Sequence, residues 1–293
     1  MKSTGIYFLN KKLGETPLEC IERFRAERIA QGEPFVDVPL TYAGRLDPMA
    51  EGLLICLAGE ECKQKDTYLG LDKVYETEFL LGVETDTHDV LGLVVGDKGG
   101  MSETGRGNQG PLSEDVIKKA LKEFVGERMQ TYPAYSSKPH LGKPLFMHAR
   151  AHGARGHAGI ESAILKADMP KREVEIYSIE FLGSTPPLAG LEGLHGLDNL
   201  EQEIVRRIGL VKGDFRQDEI VARWRQFFLS VPPHCVQKIS LRVHCSSGTY
   251  IRALAHELGQ KLVKDRGEPW GIRGVGAIAF SIKRTRIGNF ILS

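Results

Sequence analysis

Long apolar runs are missing from this 293-residue chain, and without about 18 consecutive apolar residues a membrane-spanning helix is excluded. Cysteine is sparse. The five present, Cys20, Cys56, Cys62, Cys235 and Cys245, are odd in number and form no CxxC pair. That argues against a zinc site or a disulfide framework and for reduced thiols in a cytoplasmic setting. An excess of one charge is missing too, since 39 basic residues meet 38 acidic ones for a net +1. A near-neutral total can still hide a basic face, so it neither supports nor excludes a nucleic-acid partner. Internal repeats and low-complexity tails are absent, and the opening MKSTGIYFLNKKLG has too short an apolar core for a secretory leader. What is present is ordinary for a globular chain: 41% hydrophobic and 26% charged residues, enough to bury a substantial core in one or two domains.

Strand and helix signals alternate without a regular βαβ rhythm, which favours an α+β fold. A short apolar stretch at 5–9 reads as a strand. Leu18, Ile21 and Phe24 fall near helical spacing within 16–30, and 74–81 alternates with Tyr75, Thr77, Phe79 and Leu81 on one side. Residues 52–57 suit a buried segment, and 96–110 holds six glycines and reads as a flexible loop. A helix is expected over 111–125, entered through Ser113 with Glu114 and Asp115 in its first turn. Two more alternating runs, 174–182 and 239–245, look like neighbouring strands. Between them, 184–236 opens with TPPLAGLEGLHG and turns helical, with Ile220, Val221, Trp224, Phe227 and Phe228 on one face. This mainly helical insertion is expected to pack as a small satellite.

Three segments carry candidate chemistry. The first, at 44–52, is GRLDPMAEG; alone, its Asp-Pro between glycines reads as a turn. The second is KVY at 73–75, followed by Gly82 and by TDTHDVLG at 85–92. The third, CSSGTYIRALAHELG at 245–259, joins a strand end to a helix.

In order and approximate spacing these segments resemble the TruB family of pseudouridine synthases. The family patterns G-x-L-D-P-x-A-x-G, K-x-Y with a downstream T-D-T-x-D-x-x-G, and C-S-x-G-T-Y-I-R-x-L are all satisfied. The resemblance covers roughly 5–95, 112–183 and 237–290. It implies a pseudouridine synthase fold, a mixed and mostly antiparallel sheet flanked by helices with a thumb-like insertion, forming a single catalytic domain. It also implies isomerisation of uridine to pseudouridine in the T-loop of tRNA, at position 55 of tRNA numbering, with no cofactor and no metal. Asp47 matches the catalytic carboxylate, Arg252 the arginine that pairs with it, and Tyr75 the tyrosine that stacks on the target base. The chemistry is consistent. Burial under a base disfavours an ionised carboxylate, and an adjacent guanidinium offsets that. A phenol offers both a flat face and a transferable proton. Ile282 sits where the family places an aliphatic residue against the base, although Tyr75 and Ile282 also read as core positions. Lys73, Asp86 and Asp89 are carried over as substrate-binding candidates.

The segment 128–160 contains Lys138, Lys143, Arg150 and Arg155, four histidines, three interleaved aromatics and no acidic residue up to position 159. It is the candidate thumb that clasps the T-arm through phosphate contacts, or else a solvated basic face. The histidines lack an HxxxH pair backed by a carboxylate, which argues against metal. Arg266, Arg273, Lys283, Arg284 and Arg286 are candidates to extend the basic patch. The chain departs from the family pattern at several places. The opening K-P-x-G-x-T-S is Lys11-Lys12-Leu13-Gly14-Glu15-Thr16-Pro17, and Tyr42 stands where many members have a histidine that assists base flipping. Tyr42 is therefore expected to stack or wedge against the substrate. Arg45 takes a position more often small, and the C-terminal PUA domain common in the family is expected to be absent. Two rival readings stay open: the same reaction on another RNA, ribosomal or guided, and an RNA-folding chaperone that makes little use of catalysis.

Overall fold

A strand that is apolar at almost every position must be covered on both faces, and 50–58 is such a strand. The computed structural model describes residues 4–95, 112–153, 169–185, 195–231, 235–266 and 276–292. The Gly-rich stretch 96–110, Arg155, His157 and Arg273 lie outside them. Among the described residues β3 (Ala50–Ala58) lies between β1 (Gly5–Lys11) on one edge and β2 (Leu40–Ala43) on the other. Its Leu54, Cys56 and Ala58 face helix α1 (Pro17–Ala30), and its Leu53, Ile55 and Leu57 face the opposite cluster.

Helix α1 begins with a capping box: Thr16 accepts from the Glu19 amide, and the Glu19 carboxylate accepts from the Thr16 amide. Its buried stripe is Pro17, Cys20, Ile21 and Phe24, while Leu18 is 59% exposed. The expected stripe was therefore one position out at its start, because the proline and cysteine complete the i, i+3, i+4, i+7 set.

A short 3₁₀ turn and α2 (Lys65–Leu69) lead to β4 (Lys73–Leu81), whose alternation is the one the sequence displays. After it come α3 (Glu114–Lys122), β5 (Gly126–Thr131) and a hairpin of β6 (Pro139–His140) and β7 (Lys143–Pro144). Next are α4 (Leu145–Gly153) and the long β8 (Lys171–Ser184). The chain continues through α5 (His195–Gly209), α6 (Gln217–Ser230), β9 (Gln237–Cys245), α7 (Ile251–Arg266), β10 (Ala277–Ile287) and β11 (Phe290–Ile291). The main sheet runs β1-β3-β10-β4-β9-β8-β5, with β2 beside β3 and β11 beside β10. Among the described strands only β3 and β10 pair in parallel, so the sheet is mixed and mostly antiparallel, as expected for the α+β class.

The two faces of the sheet have different cover. Helices α3 and α7 cover one face, where Phe79, Leu81, Ile239, Leu241, Val243 and Leu254 are buried together. Gly259 permits the close approach of α7, since a Cβ there would lie 2.1 Å from the Ala277 nitrogen. On the other face, Ile220, Trp224 and Phe228 of α6 join Leu80, Ile278 and Phe280 in one cluster. The inserted helices are thus no satellite. They form the second layer over this part of the sheet, because their apolar face matches the strand residues that alternation leaves outward.

Candidate active site

Asp47 occupies the loop between β2 and β3. Gly44 takes a φ of +78°, a left-handed conformation open to glycine, and this turns the chain after β2. Leu46 is buried in the cluster under α7 and Met49 in the cluster under the inserted helices, so apolar anchors on opposite faces bracket the carboxylate. The Ala50 amide donates to the Asp47 carbonyl (3.0 Å) and the Gly14 amide to the Pro48 carbonyl (2.9 Å). Lys11, fully buried, donates from Nζ to the Ala50 carbonyl at 2.5 Å. Burial pushes its ammonium down to about 8. The altered opening segment therefore still cradles the Asp47 loop, through Lys11 and Gly14.

Arg252 stands in the first turn of α7, where the positive end of the helix dipole opposes a cation. Two carboxylates offset that. Arg252 Nε lies 2.8 Å from Asp47 Oδ2 and 3.6 Å from Asp89 Oδ2. The rest of the guanidinium donates to the Thr87 carbonyl (2.6 Å) and the Tyr135 carbonyl (3.3 Å). Burial alone would lower the pKa of this group, but Asp47 and Asp89 outweigh it and hold it above the ordinary value. Asp89 itself is pushed up to about 6 by burial, against the pull of Arg252 and of the Thr87 hydroxyl. It accepts from Thr87 Oγ1 (2.7 Å) and from the Leu91 amide (2.9 Å). Behind Arg252, the ring of His88 stacks on that of His256 at 4.0 Å, and burial holds His88 well below the usual imidazole range.

Asp47, Tyr75, Arg252 and Ile282 line one cleft of about 750 Å³, with Lys73 in its wall. That volume lies in the range of pockets that enclose a small ligand. The side chain of Asp47 is 31% exposed while that of Arg252 is 3% exposed, so the carboxylate faces the cleft and the cation is walled in behind it. Burial raises the Tyr75 phenol above its usual value, although the neighbouring Arg284, hydrogen-bonded to it, pulls the other way. Arg284 is 1% exposed and donates to the carbonyls of Leu53 (2.8 Å) and Gly44 (2.9 Å), tying β10 to the loop that carries Asp47. Lys73 donates to the Leu69 carbonyl at 2.9 Å and to the Leu71 carbonyl; burial, with Arg284 nearby, lowers its ammonium to about 8.

Other sequence candidates lie elsewhere. Tyr42 is half-buried on β2, packed on the α1 cluster with Lys65 Nζ 5.7 Å from its ring centre, and does not line the cleft. A strand residue whose ring has apolar neighbours is held by them, so the wedge role expected for it is not supported. Asp86 accepts from the Leu93 amide (2.8 Å) and pairs with Arg216 (3.0 Å), while Asp89 backs Arg252. Both carboxylates are engaged within the protein rather than presented to a substrate. Lys143 is exposed on the β6–β7 hairpin; Lys138 lies over the Tyr132 ring and Arg150 over the rings of Phe146 and Phe215. Arg284 and Arg286, read as surface basic residues, are engaged as well, Arg286 with Asp72 at 3.1 Å. Arg284 could have been found from the sequence, since alternation along β10 puts it on the face of Ile282. Arg172, which also lines the cleft, carried no such signal.

This geometry can be set beside known proteins. The family model described as TruB family pseudouridylate synthase (N terminal domain) matches residues 39–193, the span that holds Asp47, Tyr75 and Asp89. Over 289 residues the chain is 29% identical to tRNA pseudouridine synthase B of Desulfotalea psychrophila, covering 98% of this chain and 83% of that protein. It is 30% identical over 249 residues to tRNA pseudouridine synthase B of Aromatoleum aromaticum, covering 85% of this chain but 54% of that one. It thus spans little more than half the length of some curated relatives. Among solved structures it is similar to a chain of a Cbf5-Nop10-Gar1 complex, with a TM-score of 0.48 and 20% identity over 98% of this chain and 50% of that chain. With the family model matching more than half of its length, the chain belongs to the TruB family of pseudouridylate synthases.

Proposed function

We propose that this chain isomerises uridine to pseudouridine in the T-loop of tRNA, at position 55. The observation that carries the reading is the ion pair between Asp47, open to the cleft, and the walled-in Arg252, beside the Tyr75 ring and Ile282. The reaction breaks the N1–C1′ bond, turns the base and forms the C5–C1′ bond; C5 loses a proton and N1 gains one, with no net oxidation. A carboxylate at the sugar is the group such a step requires, whether as nucleophile or as stabiliser of charge at C1′. Arg252 fixes the position of that carboxylate, and Tyr75, its phenol pushed by burial further above its already high value, supplies a neutral flat ring to the base. The nucleotide must first leave its stack, at a cost of a few kcal/mol. Phosphate contacts from the basic segment carrying Lys138, Lys143 and Arg150 offset this cost.

The test is tritium release from C5-labelled uridine in an unmodified tRNA transcript, run beside ribosomal RNA fragments. Release from the tRNA T-loop is expected. Release from ribosomal fragments alone would move the substrate, and release from neither would leave only binding. Asp47→Asn is expected to abolish release while RNA affinity stays within about threefold; a variant that still turns over removes Asp47 from its role.

A further inference from the structure

The helical insertion reaches the active site through one turn. Between α5 and α6, Gly213 has a φ of +85° and Arg216 a φ of +63°, a conformation seldom adopted by a side-chain-bearing residue. The turn is internally braced: Gln217 bonds the Phe215 amide (2.9 Å) and the carbonyls of Val211 (3.1 Å) and Gly213 (2.7 Å), and Asp214 accepts from the Arg216 amide (3.2 Å). Two of its half-buried side chains, Phe215 and Arg216, reach residues of the basic segment. Arg216 pairs with Asp86 at 3.0 Å and lies 5.1 Å from the centre of the Tyr135 ring. Phe215 lies under the Arg150 guanidinium at 5.1 Å. The carbonyl of Tyr135 in turn accepts from Arg252, whose Nε holds Asp47.

We propose that Arg216 is a positioning residue for the catalytic pair: it clamps Tyr135 between the insertion and the Asp86 loop, and so fixes the guanidinium of Arg252 against Asp47. This rests on the function proposed above. The strained backbone at Arg216 fits the role, since such strain persists only where surrounding contacts over-determine it. The same turn grips Arg150, so the posture of the RNA-binding segment and the alignment of Asp47 share one support.

The experiment compares Arg216→Ala, Arg216→Lys and, as a stability control, Ile204→Ala, which weakens the insertion's core while leaving the Asp86 and Tyr135 partners of Arg216 in place. With unmodified tRNA transcript, Arg216→Ala is expected to lose tenfold or more in kcat with RNA affinity unchanged within threefold. Arg216→Lys is expected to recover most of that loss. Ile204→Ala, with a comparable drop in melting temperature, is expected to keep wild-type kcat. In the protein without RNA, the Arg252 Hε resonance is expected to exchange slowly in the wild type and in Ile204→Ala but rapidly in Arg216→Ala. A folded Arg216→Ala with unchanged kcat, or Ile204→Ala losing equally, would overturn the proposal. So would unchanged Hε exchange, which tests the clamp even if the wild type makes no pseudouridine; that separate failure would count against the proposed function alone.

Discussion

Replacing Arg252 with methionine keeps most of the side-chain volume and removes the charge, and the structure fixes how the damage should vary with pH. Asp89 is buried, and with Arg252 present burial still pushes its pKa up to about 6. At about 1.4 kcal/mol per pKa unit, that is about 3 kcal/mol of cost for ionising Asp89 in the folded protein. The folded pKa is raised, so the contribution of Asp89 to wild-type stability is complete below about pH 4 and is lost as pH rises through about 6. Without Arg252 the folded pKa climbs further, and the loss continues toward pH 8. At pH 5 Asp89 is largely neutral, and Arg252→Met removes mainly the hydrogen bonds to the carbonyls of Thr87 and Tyr135 and the pairing with the half-exposed Asp47. That is a loss of about 1–2 kcal/mol for each interaction removed. At pH 8 a buried carboxylate is stranded as well, and the loss is larger by about 3 kcal/mol. Urea unfolding of both proteins at pH 5 and pH 8 measures the difference. A destabilisation equal at the two pH values would refute the placement of Asp89 as the buried partner of Arg252.

The sequence makes some of these features legible and conceals others, for reasons that can be stated residue by residue. Asp47, Tyr75 and Arg252 stand in three short segments of fixed composition, and the fold brings all three to one cleft. Strands β4 and β9 announce themselves because each has one face in the core, so burial imprints a period of two. The insertion's buried face, Ile220, Trp224 and Phe228, is equally readable at helical spacing. Where that face lands is not, because periodicity records that a surface is covered and not by what. The same limit explains Asp86 and Asp89. Their motif marks them as important, but whether a carboxylate meets a substrate or an arginine over a hundred residues away depends on tertiary contacts alone. Arg284 shows the opposite lapse. Charge suggested a surface residue, whereas the strand alternation that buries Ile282 also buries Arg284, with carbonyl oxygens and the Tyr75 phenol as its partners.

Two further outcomes follow from the geometry. If the exposed Lys143 contacts a phosphate, Lys143→Ala weakens RNA binding across sequences and lowers the slope of log K against log salt by about 1; an unchanged slope, read from titrations between low and physiological salt, returns that lysine to plain solvated surface. Gly52→Ala is the more severe change. Gly52 has a φ of +103°, and a Cβ there would lie 2.3 Å from the Arg284 carbonyl oxygen and 2.8 Å from its nitrogen, both backbone atoms that cannot swing aside. This is the single parallel pair of named strands in the sheet among the described residues, with Arg284 opposite Gly52 and Ile282 opposite Ala50. The strain of the left-handed backbone and the overlap together cost roughly 3 kcal/mol or more. Relief comes only by parting β3 from β10, the two strands whose closeness sets Asp47 beside Ile282. Thermal melting therefore falls steeply, and whatever protein remains folded loses turnover beyond the loss of folded fraction. A Gly52→Ala protein that melts within 2 °C of the wild type would mean that β3 and β10 do not meet at this register, and the cleft built on that register would have to be redrawn.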